Sequence, residues 1–215
     1  EIGKQKSLCA SRSLGLLNPD IRIIPYTERL TPQNTLKILE DYDWVIDGTD
    51  NFASRYMIND ACVIMGKPLV FGAISQFEGQ VAVFNYPTNE QEQPANYRDL
   101  FPVPPKEDEV LNCAEAGVLG VLPGMIGTMM ANETIKLITA IGEPLANCLL
   151  TYNALNNQVF ILNIAASPKT RALIPATKNE FEHTDYVWQC HSEASPFEID
   201  TKQFRQFLQK ENLTI

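Results

Sequence analysis

Positively charged residues are scarce in this chain of 215 residues. Its 17 Lys and Arg residues stand against 26 Asp and Glu residues, so the formal net charge is −9 at pH 7. Because a nucleic-acid backbone must be neutralised by cationic side chains, this balance excludes a general nucleic-acid binder. Hydrophobic residues make up 45% of the chain and charged residues 20%, which is the composition of a globular protein.

Long hydrophobic runs are also missing. The longest notable charge-free run, Ala116–Asn132, has 17 residues and contains four glycines. A helix that crosses a membrane needs about 20 predominantly apolar residues. No basic segment followed by an apolar one opens the chain, as a secretory signal would. The sequence therefore predicts no membrane partner.

Paired cysteines of the Cys-x-x-C type are absent. The five cysteines are scattered along the chain, at Cys9, Cys62, Cys113, Cys148 and Cys190. An odd number without pairing motifs fits reduced thiols and a cytoplasmic location better than a disulfide framework. The chain begins at Glu1, not at Met, and inside a predicted helix, so we expect it to be a piece of a longer protein.

The first third of the chain alternates between strand and helix patterns. Alternation of this kind predicts a parallel sheet covered by helices. The predicted elements are a helix over 4–17, a strand over 21–26, a helix from Thr31-Pro32, a strand over 43–48, a helix over Phe52–Met65 and a strand from Leu69.

The pattern changes after Gly72. A strand over 78–86 is entered by a turn and predicts an antiparallel addition, and strands at about 148–154 and 158–164 predict a closing hairpin. Between them lie a long loop over 87–112 and an apolar helix that ends near Gly142. The fold class is therefore α/β, with a Rossmann-like mixed sheet that is mainly parallel and has antiparallel strands added.

The sharpest local pattern, V-I-D-G-T-D-N, ends the strand over 43–48 and is followed by Arg55. Ligands of open parallel sheets bind beyond the carboxyl ends of the strands, where Asp50 and Asn51 would lie. A carboxylate there can hold Mg²⁺ that bridges nucleotide phosphates, and Arg55 could bind a phosphate or carboxylate through its planar fork. The alternative is that Thr49 or Asp50 only caps the next helix and that Arg55 is solvated.

Two further residues could carry chemistry. Lys6, at a predicted helix start, is an ordinary surface charge unless a preceding segment places phosphates beside it. Cys113 follows the long loop and precedes a helix, whose dipole would stabilise a thiolate and make it a candidate nucleophile. The alternative for Cys113 is a small buried thiol.

Glycines recur at spacings of three and four in the next stretch, at Gly117, Gly120, Gly124 and Gly127. A phosphate-binding loop would follow a strand and carry a lysine or an acidic partner in a defined frame. Because that frame is missing, we interpret these glycines as sites of close helix packing.

Four segments of the chain carry a family resemblance, which covers Gly3 to about Asn163. They are V-I-D-G-T-D-N-F-A-S-R-Y-M-I-N-D-A-C, K-P-L-V-F-G-A-I-S-Q-F-E-G-Q-V-A-V-F, C-A-E-A-G-V-L-G-V-L-P-G and A-N-E-T-I-K-L-I. In this order and spacing they closely resemble the MoeB/ThiF/HesA family, the bacterial relatives of ubiquitin-activating enzymes.

The resemblance implies an adenylyltransferase. Such an enzyme binds ATP and Mg²⁺ and adenylates the C-terminal Gly-Gly tail of a small ubiquitin-like sulfur carrier, for molybdopterin or thiamine synthesis. It implies that Lys6 contacts the ATP phosphates and that Asp50 is the Mg²⁺-linked aspartate. Arg55 lies in the matching D-N-x-x-x-R frame, and Cys113 matches a cysteine implicated in acyl transfer. It also implies a homodimer.

The chain departs from the family at both ends and lacks its zinc pairs. The family's first strand and glycine-rich nucleotide loop would lie upstream of Glu1, so the piece alone is expected to be inactive. Residues 96–99, Asn-Tyr-Arg-Asp, stand where the first zinc-binding Cys-x-x-C is expected, and we predict no zinc. The tail over 197–215 resembles the start of a rhodanese domain. The predicted organisation is an incomplete adenylation domain over 1–165, a linker over 166–196 and an incomplete rhodanese-like domain over 197–215.

Two rival functions stay open. A nicotinamide-dependent oxidoreductase shares the strand–helix–strand pattern, and a non-catalytic relative would only dock a ubiquitin-like protein. The retained Lys6, Asp50 and Arg55 argue against the second, whereas the missing zinc pairs allow it. The sequence does not distinguish which carrier or pathway is served.

Overall fold

The computed structural model describes residues 2–89, 93–105 and 117–187. These residues form seven helices and five strands. The helices are α1 (Lys6–Leu17), α2 (Pro32–Leu39), α3 (Phe52–Met65), α4 (Tyr97–Leu100), α5 (Leu122–Thr139), α6 (Pro168–Arg171) and α7 (Lys178–His183). The strands are β1 (Val45–Asp47), β2 (Leu69–Ser75), β3 (Glu78–Phe84), β4 (Cys148–Asn153) and β5 (Gln158–Asn163).

The five strands form one mixed sheet in the order β1-β2-β3-β4-β5. β1 and β2 are parallel, with Val45 opposite Leu69, because α3 carries the chain back between them. The other three pairs are antiparallel. The mixed α/β class is confirmed, but the prediction of a mainly parallel sheet is wrong for the described residues. Each strand after β2 returns through a turn or from the far end of α5, which reverses its direction.

Helices cover both faces of the sheet. Side chains alternate along β2 and β3, so that Leu69 and Phe71 face one core while Val70 faces the other. On the first side lie α2, α3, α4 and α7; on the second lies α5, through Ile126 and Met130.

Local signals determine where the main helices begin and end. Thr31 precedes Pro32, and its backbone N–H donates to Asn34 Oδ1 at 2.8 Å, which begins α2. Asn51 Oδ1 accepts the Ser54 N–H at 2.9 Å and begins α3. Gly66, with φ +64°, ends α3 in the left-handed conformation that glycine tolerates best. Both predicted helix starts are confirmed.

The glycines that allow close packing lie in the sheet and not in α5. A Cβ at Gly72 would lie 2.1 Å from Met130 Sδ, and one at Gly79 would lie 2.3 Å from Ile126 Cδ1. Gly124 and Gly127, by contrast, are exposed, and among the described residues no heavy atom outside their own backbone neighbourhood lies within 4 Å of their Cβ position; the same holds for Gly117 and Gly120. Within the described residues, the prediction that these glycines mediate close packing is therefore wrong, because α5 turns its large side chains to the sheet.

Two segments differ from their predicted form. Residues 21–26 were predicted as a strand but belong to none of the strands of the described sheet. The described part of the predicted linker, residues 166–187, packs on the core: it forms α6 and α7 and buries Phe181 and Tyr186. The rest of that segment, and the predicted rhodanese-like start over 197–215, lie outside the described residues. In the described part of the chain, none of the helices could cross a membrane.

Candidate functional site

The V-I-D-G-T-D-N motif connects the carboxyl end of β1 to the first turn of α3. Asp47 is the last residue of β1, and Phe52 is the first of α3, a helix of 14 residues. Gly48, Thr49 and Asp50 form the connection, which places them at the positive end of the helix dipole. This is the edge of a parallel strand pair at which α/β proteins bind ligands.

Side chains from two elements bind the backbone of Thr49. Asp47 Oδ1 accepts the Thr49 N–H at 2.8 Å. The Thr49 carbonyl oxygen accepts two hydrogen bonds from Arg55, from Nε at 3.2 Å and from Nη2 at 2.9 Å. Both polar backbone groups of Thr49 are therefore satisfied by side chains.

Asp47 is a buried carboxylate, with 2% of its surface exposed. Burial raises the pKa of Asp47 above its usual value, an effect opposed by the hydrogen bond from the Thr49 amide and by the charge of Arg55. Among the described residues, Asp47 Oδ2 and Thr49 Oγ1 are buried side-chain atoms without a hydrogen-bond partner. Burying a carboxylate with one unpaired oxygen lowers the stability of the folded protein. We therefore expect Asp47 to have a function at this edge of the sheet.

Asp50 differs from Asp47 in its exposure and in its hydrogen bonding. Its side chain is exposed, and it makes no hydrogen bond or ion pair with any described residue. Asn51 supplies the helix cap, so the alternative that Thr49 or Asp50 caps α3 is wrong. A free carboxylate beside a helix N-terminus can ligate a hard cation such as Mg²⁺, which prefers oxygen ligands.

Arg55 is half-buried between two aromatic rings. Its guanidinium carbon lies 5.6 Å from the centroids of both Phe52 and Phe71. Together with the two bonds to the Thr49 carbonyl, these contacts hold the side chain in one place. The alternative that Arg55 is merely solvated is wrong.

Comparison with known proteins identifies the family. The family model described as "ThiF family" matches residues 1–173. The chain belongs to the ThiF family.

Two relatives of this ThiF-family chain illustrate the match. The "Sulfur carrier protein adenylyltransferase" of Thermus thermophilus is 50% identical over 169 residues, which cover 79% of this chain and 62% of the relative. The "Adenylyltransferase and sulfurtransferase MOCS3" of Arabidopsis thaliana is 38% identical over 223 residues, which cover 97% of this chain and 47% of the relative. The chain thus spans about half to three-fifths of the length of these relatives.

A solved structure has the same fold. The crystal structure of Escherichia coli MccB with ATP is similar with a TM-score of 0.59 and 17% identity, over 77% of this chain and 49% of MccB. At this identity the likeness shows the ThiF-type fold alone.

Of the other two candidates, Lys6 is described and Cys113 is not. Lys6 is exposed at the start of α1, a helix without buried residues, and no described hydrogen bond or ion pair links it to Asp50. Cys113 and Cys190 lie outside the described residues. Among the described residues, Cys9, Cys62 and Cys148 form no disulfide bond.

The two positions that replace the expected zinc cysteines serve as hydrogen-bond partners. Asn96 Oδ1 accepts the Arg98 N–H at 2.9 Å. Asp99 Oδ2 accepts the Asn96 N–H at 2.8 Å, and its other oxygen accepts from Ser167 N at 2.9 Å and from Thr170 Oγ1. Within the described ranges, no group of three or more His, Cys, Asp or Glu side chains could hold a metal ion.

Sequence reasoning missed Asp47. Its signal was present, since an aspartate at the end of an otherwise apolar strand is a buried charge and must have a partner. The partner, however, is the backbone of a residue two positions later, which no side-chain pattern indicates.

Proposed function

We propose that the full protein to which this chain belongs is an ATP-dependent adenylyltransferase. It activates the C-terminal glycine carboxylate of a small ubiquitin-like sulfur carrier for sulfur transfer in molybdopterin or thiamine synthesis. The ThiF-family match over residues 1–173 and the sulfur carrier adenylyltransferase of Thermus thermophilus support this class of reaction. The observation that carries the proposal is the free, exposed carboxylate of Asp50 at the carboxyl end of β1.

Asp50 is suited to bind a magnesium ion that is also coordinated by nucleotide phosphates. Mg²⁺ is held in such sites by one or two protein carboxylates, with phosphate oxygens and waters as its other ligands. A single free carboxylate meets that requirement, whereas a site built wholly from protein would need more donors. Bound Mg²⁺ supplies positive charge that neutralises the phosphates, and the first turn of α3 adds its dipole. Asn51 would fix the helix start on which the phosphates rest.

The reaction joins two anions. A carboxylate oxygen of the carrier attacks the α-phosphorus of ATP, the bond between that phosphorus and the α–β bridging oxygen breaks, and pyrophosphate leaves. The product is a mixed anhydride of the carrier with AMP. Because both reactants are negatively charged, cationic groups must lower their repulsion. We assign Lys6 to the ATP phosphates and Asp50 to the metal.

We assign Arg55 to the same site, but through the backbone. Two of its donors bind the Thr49 carbonyl, and the remaining N–H groups of the fork are left for a phosphate or carboxylate. Lys6 can contact the ATP phosphates only if the nucleotide binds close to the start of α1. This assignment rests on its Gly-Lys-Gln-Lys setting.

Cys113 would act after adenylation. A thiolate that attacks the carrier acyl group releases AMP and leaves a thioester, from which sulfur transfer can proceed. The resemblance of the tail over 197–215 to the start of a rhodanese domain supports a fused sulfur donor, as does the Arabidopsis relative, which is named an adenylyltransferase and sulfurtransferase. We further propose a homodimer and a cytoplasmic location; the odd number of scattered cysteines, without a Cys-x-x-Cys pair, supports the location.

Pyrophosphate exchange tests the proposal. The protein as its gene encodes it should convert labelled pyrophosphate into ATP only with Mg²⁺ and a carrier that ends in Gly-Gly. A carrier that lacks its last glycine is the matched control and should support no exchange. Exchange that is independent of the carrier tail would overturn the assigned substrate.

Titration with nucleotides separates the rivals. A nicotinamide-dependent oxidoreductase would bind NAD or NADP and not ATP. A non-catalytic relative would bind the carrier without any pyrophosphate exchange. The free carboxylate of Asp50 favours the adenylyltransferase, because neither rival needs a metal-binding group at the end of β1.

A further inference from the structure

We propose that Asp47 is a positioning residue that holds Asp50 in place by binding the backbone of Thr49, with Arg55 as its counterpart on the other side of the same residue. This inference rests on the proposed function, since it concerns the residue that we assign to the metal. It adds a residue that touches neither nucleotide nor carrier.

The first argument is the placement of the two bonds. Asp47 binds the Thr49 N–H at 2.8 Å, and Arg55 binds the Thr49 carbonyl at 2.9 and 3.2 Å. The peptide group that follows Thr49 leads directly into Asp50. A residue bound on both of its backbone groups cannot rotate freely, and it transmits that restraint to its neighbour.

The second argument is that Asp50 is also restrained from its other side. Asn51 accepts the Ser54 N–H through its side chain and the Arg55 N–H through its carbonyl, at 2.9 and 3.3 Å. Asp50 is therefore the single exposed carboxylate between two anchored residues. Sites of this kind react fastest when the reactive group is held in position before the ligand arrives.

The third argument excludes Asp47 as the metal ligand. Its side chain is 2% exposed, whereas that of Asp50 is open to solvent. Its Oδ1 accepts the Thr49 N–H, and its Oδ2, although it has no hydrogen-bond partner among the described residues, is buried away from solvent. A buried carboxylate kept here despite its desolvation cost is explained by the backbone that it holds.

Two substitutions at one position separate positioning from charge. Asp47→Asn keeps an oxygen that can accept the Thr49 N–H but removes the charge, and Asp47→Ala removes both. If Asp47 acts by positioning Asp50, the kcat of Asp47→Asn for pyrophosphate exchange should stay within a few-fold of that of the unchanged protein. Asp47→Ala should lower kcat about 100-fold, with little change in the KM for the carrier. Asp43→Ala, at an exposed aspartate before β1, is the matched control and should leave exchange unchanged.

Amide hydrogen exchange gives a readout that does not depend on activity. In Asp47→Ala the Thr49 N–H loses a charged acceptor, and its protection should fall about 10- to 100-fold, whereas Asp47→Asn should keep most of it. Thermal unfolding checks that each variant is folded. If Asp47→Ala does not fold, Asp47→Val replaces it: valine suits the end of a strand and offers no acceptor to the Thr49 N–H, so kcat and the protection of that amide should fall as in Asp47→Ala.

The possible outcomes separate the two proposals. If Asp47→Asn and Asp47→Ala lose exchange activity equally, the positioning role of Asp47 is overturned, because the loss would then follow from the missing charge and not from the missing hydrogen bond. Unchanged Thr49 protection in folded Asp47→Ala would overturn it as well. If the unchanged protein shows no pyrophosphate exchange at all, the proposed function fails, and loss of Thr49 protection in Asp47→Ala would still support the backbone contact.

Discussion

Arg98 lies in the core with its guanidinium on both oxygens of Asp60, through Nε at 2.8 Å and Nη2 at 2.7 Å. The two residues are 38 positions apart in the chain, and their side chains are 5% and 0% exposed. Tyr186 donates its hydroxyl to the same Asp60 carboxylate at 2.9 Å, and the ring of Tyr56 lies 4.8 Å under the guanidinium. This network joins α3, α4 and the segment after α7.

Removal of the Arg98 charge should destabilise the protein strongly. Arg98→Met leaves Asp60 buried without its counter-ion, and we expect the free energy of unfolding to fall by about 3–5 kcal/mol. Urea denaturation measures the change. Arg22→Met, at an exposed arginine without a described ion pair, is the control and should change stability by less than about 0.5 kcal/mol. A similar small change at Arg98 would contradict the buried network.

The Cys62 thiol should make stability fall at alkaline pH. Burial raises the pKa of Cys62 well above its usual value of 9.0, with the nearby Asp47 as a smaller cause. The thiol stays protonated in the folded protein while the unfolded chain loses its proton above pH 9. Its contribution is therefore complete below pH 9 and declines as the pH rises, by about 1.4 kcal/mol for each pH unit.

Comparison with Cys62→Ala isolates that effect. The difference in unfolding free energy between the two proteins should be constant from pH 6 to 8 and should shrink above the usual thiol pKa of 9.0. Denaturation with urea at several pH values measures it. A difference that does not change with pH would show that the Cys62 thiol titrates normally in the folded protein.

Glycines of the sheet and of α5 should respond to alanine in opposite directions. Gly72→Ala places a Cβ against Met130 Sδ and should cost about 1–3 kcal/mol, because the core must shift. Gly127→Ala meets no atom within 4 Å and should stabilise α5 by about 0.5–1 kcal/mol. Thermal unfolding compares both with the unchanged protein. If Gly127→Ala destabilises the protein instead, Gly127 takes part in close packing after all.

Cys113 should matter after adenylation and not during it. We expect Cys113→Ser to retain carrier-dependent pyrophosphate exchange, since attack on ATP needs no thiol. It should lose a carrier adduct that is visible on non-reducing gels and released by added thiol. Cys148→Ser, at a half-buried cysteine of β4, is the matched control and should keep both properties. Retention of the adduct by Cys113→Ser would remove Cys113 from the transfer.

The sequence predicted elements whose signals are local. α3 begins and ends where its cap and Gly66 indicate, at Phe52 and Met65, and the hairpin of β4 and β5 lies where its strand patterns place it. The setting of the motif between the end of β1 and the start of α3 was also predicted, because a strand, a turn and a helix start are adjacent in the chain.

What the sequence did not predict depends on partners far away in the chain. The antiparallel direction of β3 and the hairpin of β4 and β5 were predicted correctly, but a mainly parallel sheet was not found, because residue patterns record which face is buried and not which strand pairs with which. Residues 21–26 have the composition of a strand but belong to no strand of the described sheet. The ion pair of Arg98 with Asp60 and the contact of Gly72 with Met130 depend on tertiary structure, so spacing could not indicate them.

The role of Asp50 is tested most directly by pyrophosphate exchange. With the protein as its gene encodes it, saturating ATP and a carrier ending in Gly-Gly, Asp50→Ala should lower exchange by at least about 100-fold, because the phosphates lose the group that holds their metal. Asp43→Ala, an exposed aspartate seven residues earlier, should exchange at the rate of the unchanged protein. Undiminished exchange in Asp50→Ala would contradict the metal-binding assignment on which the proposed mechanism depends.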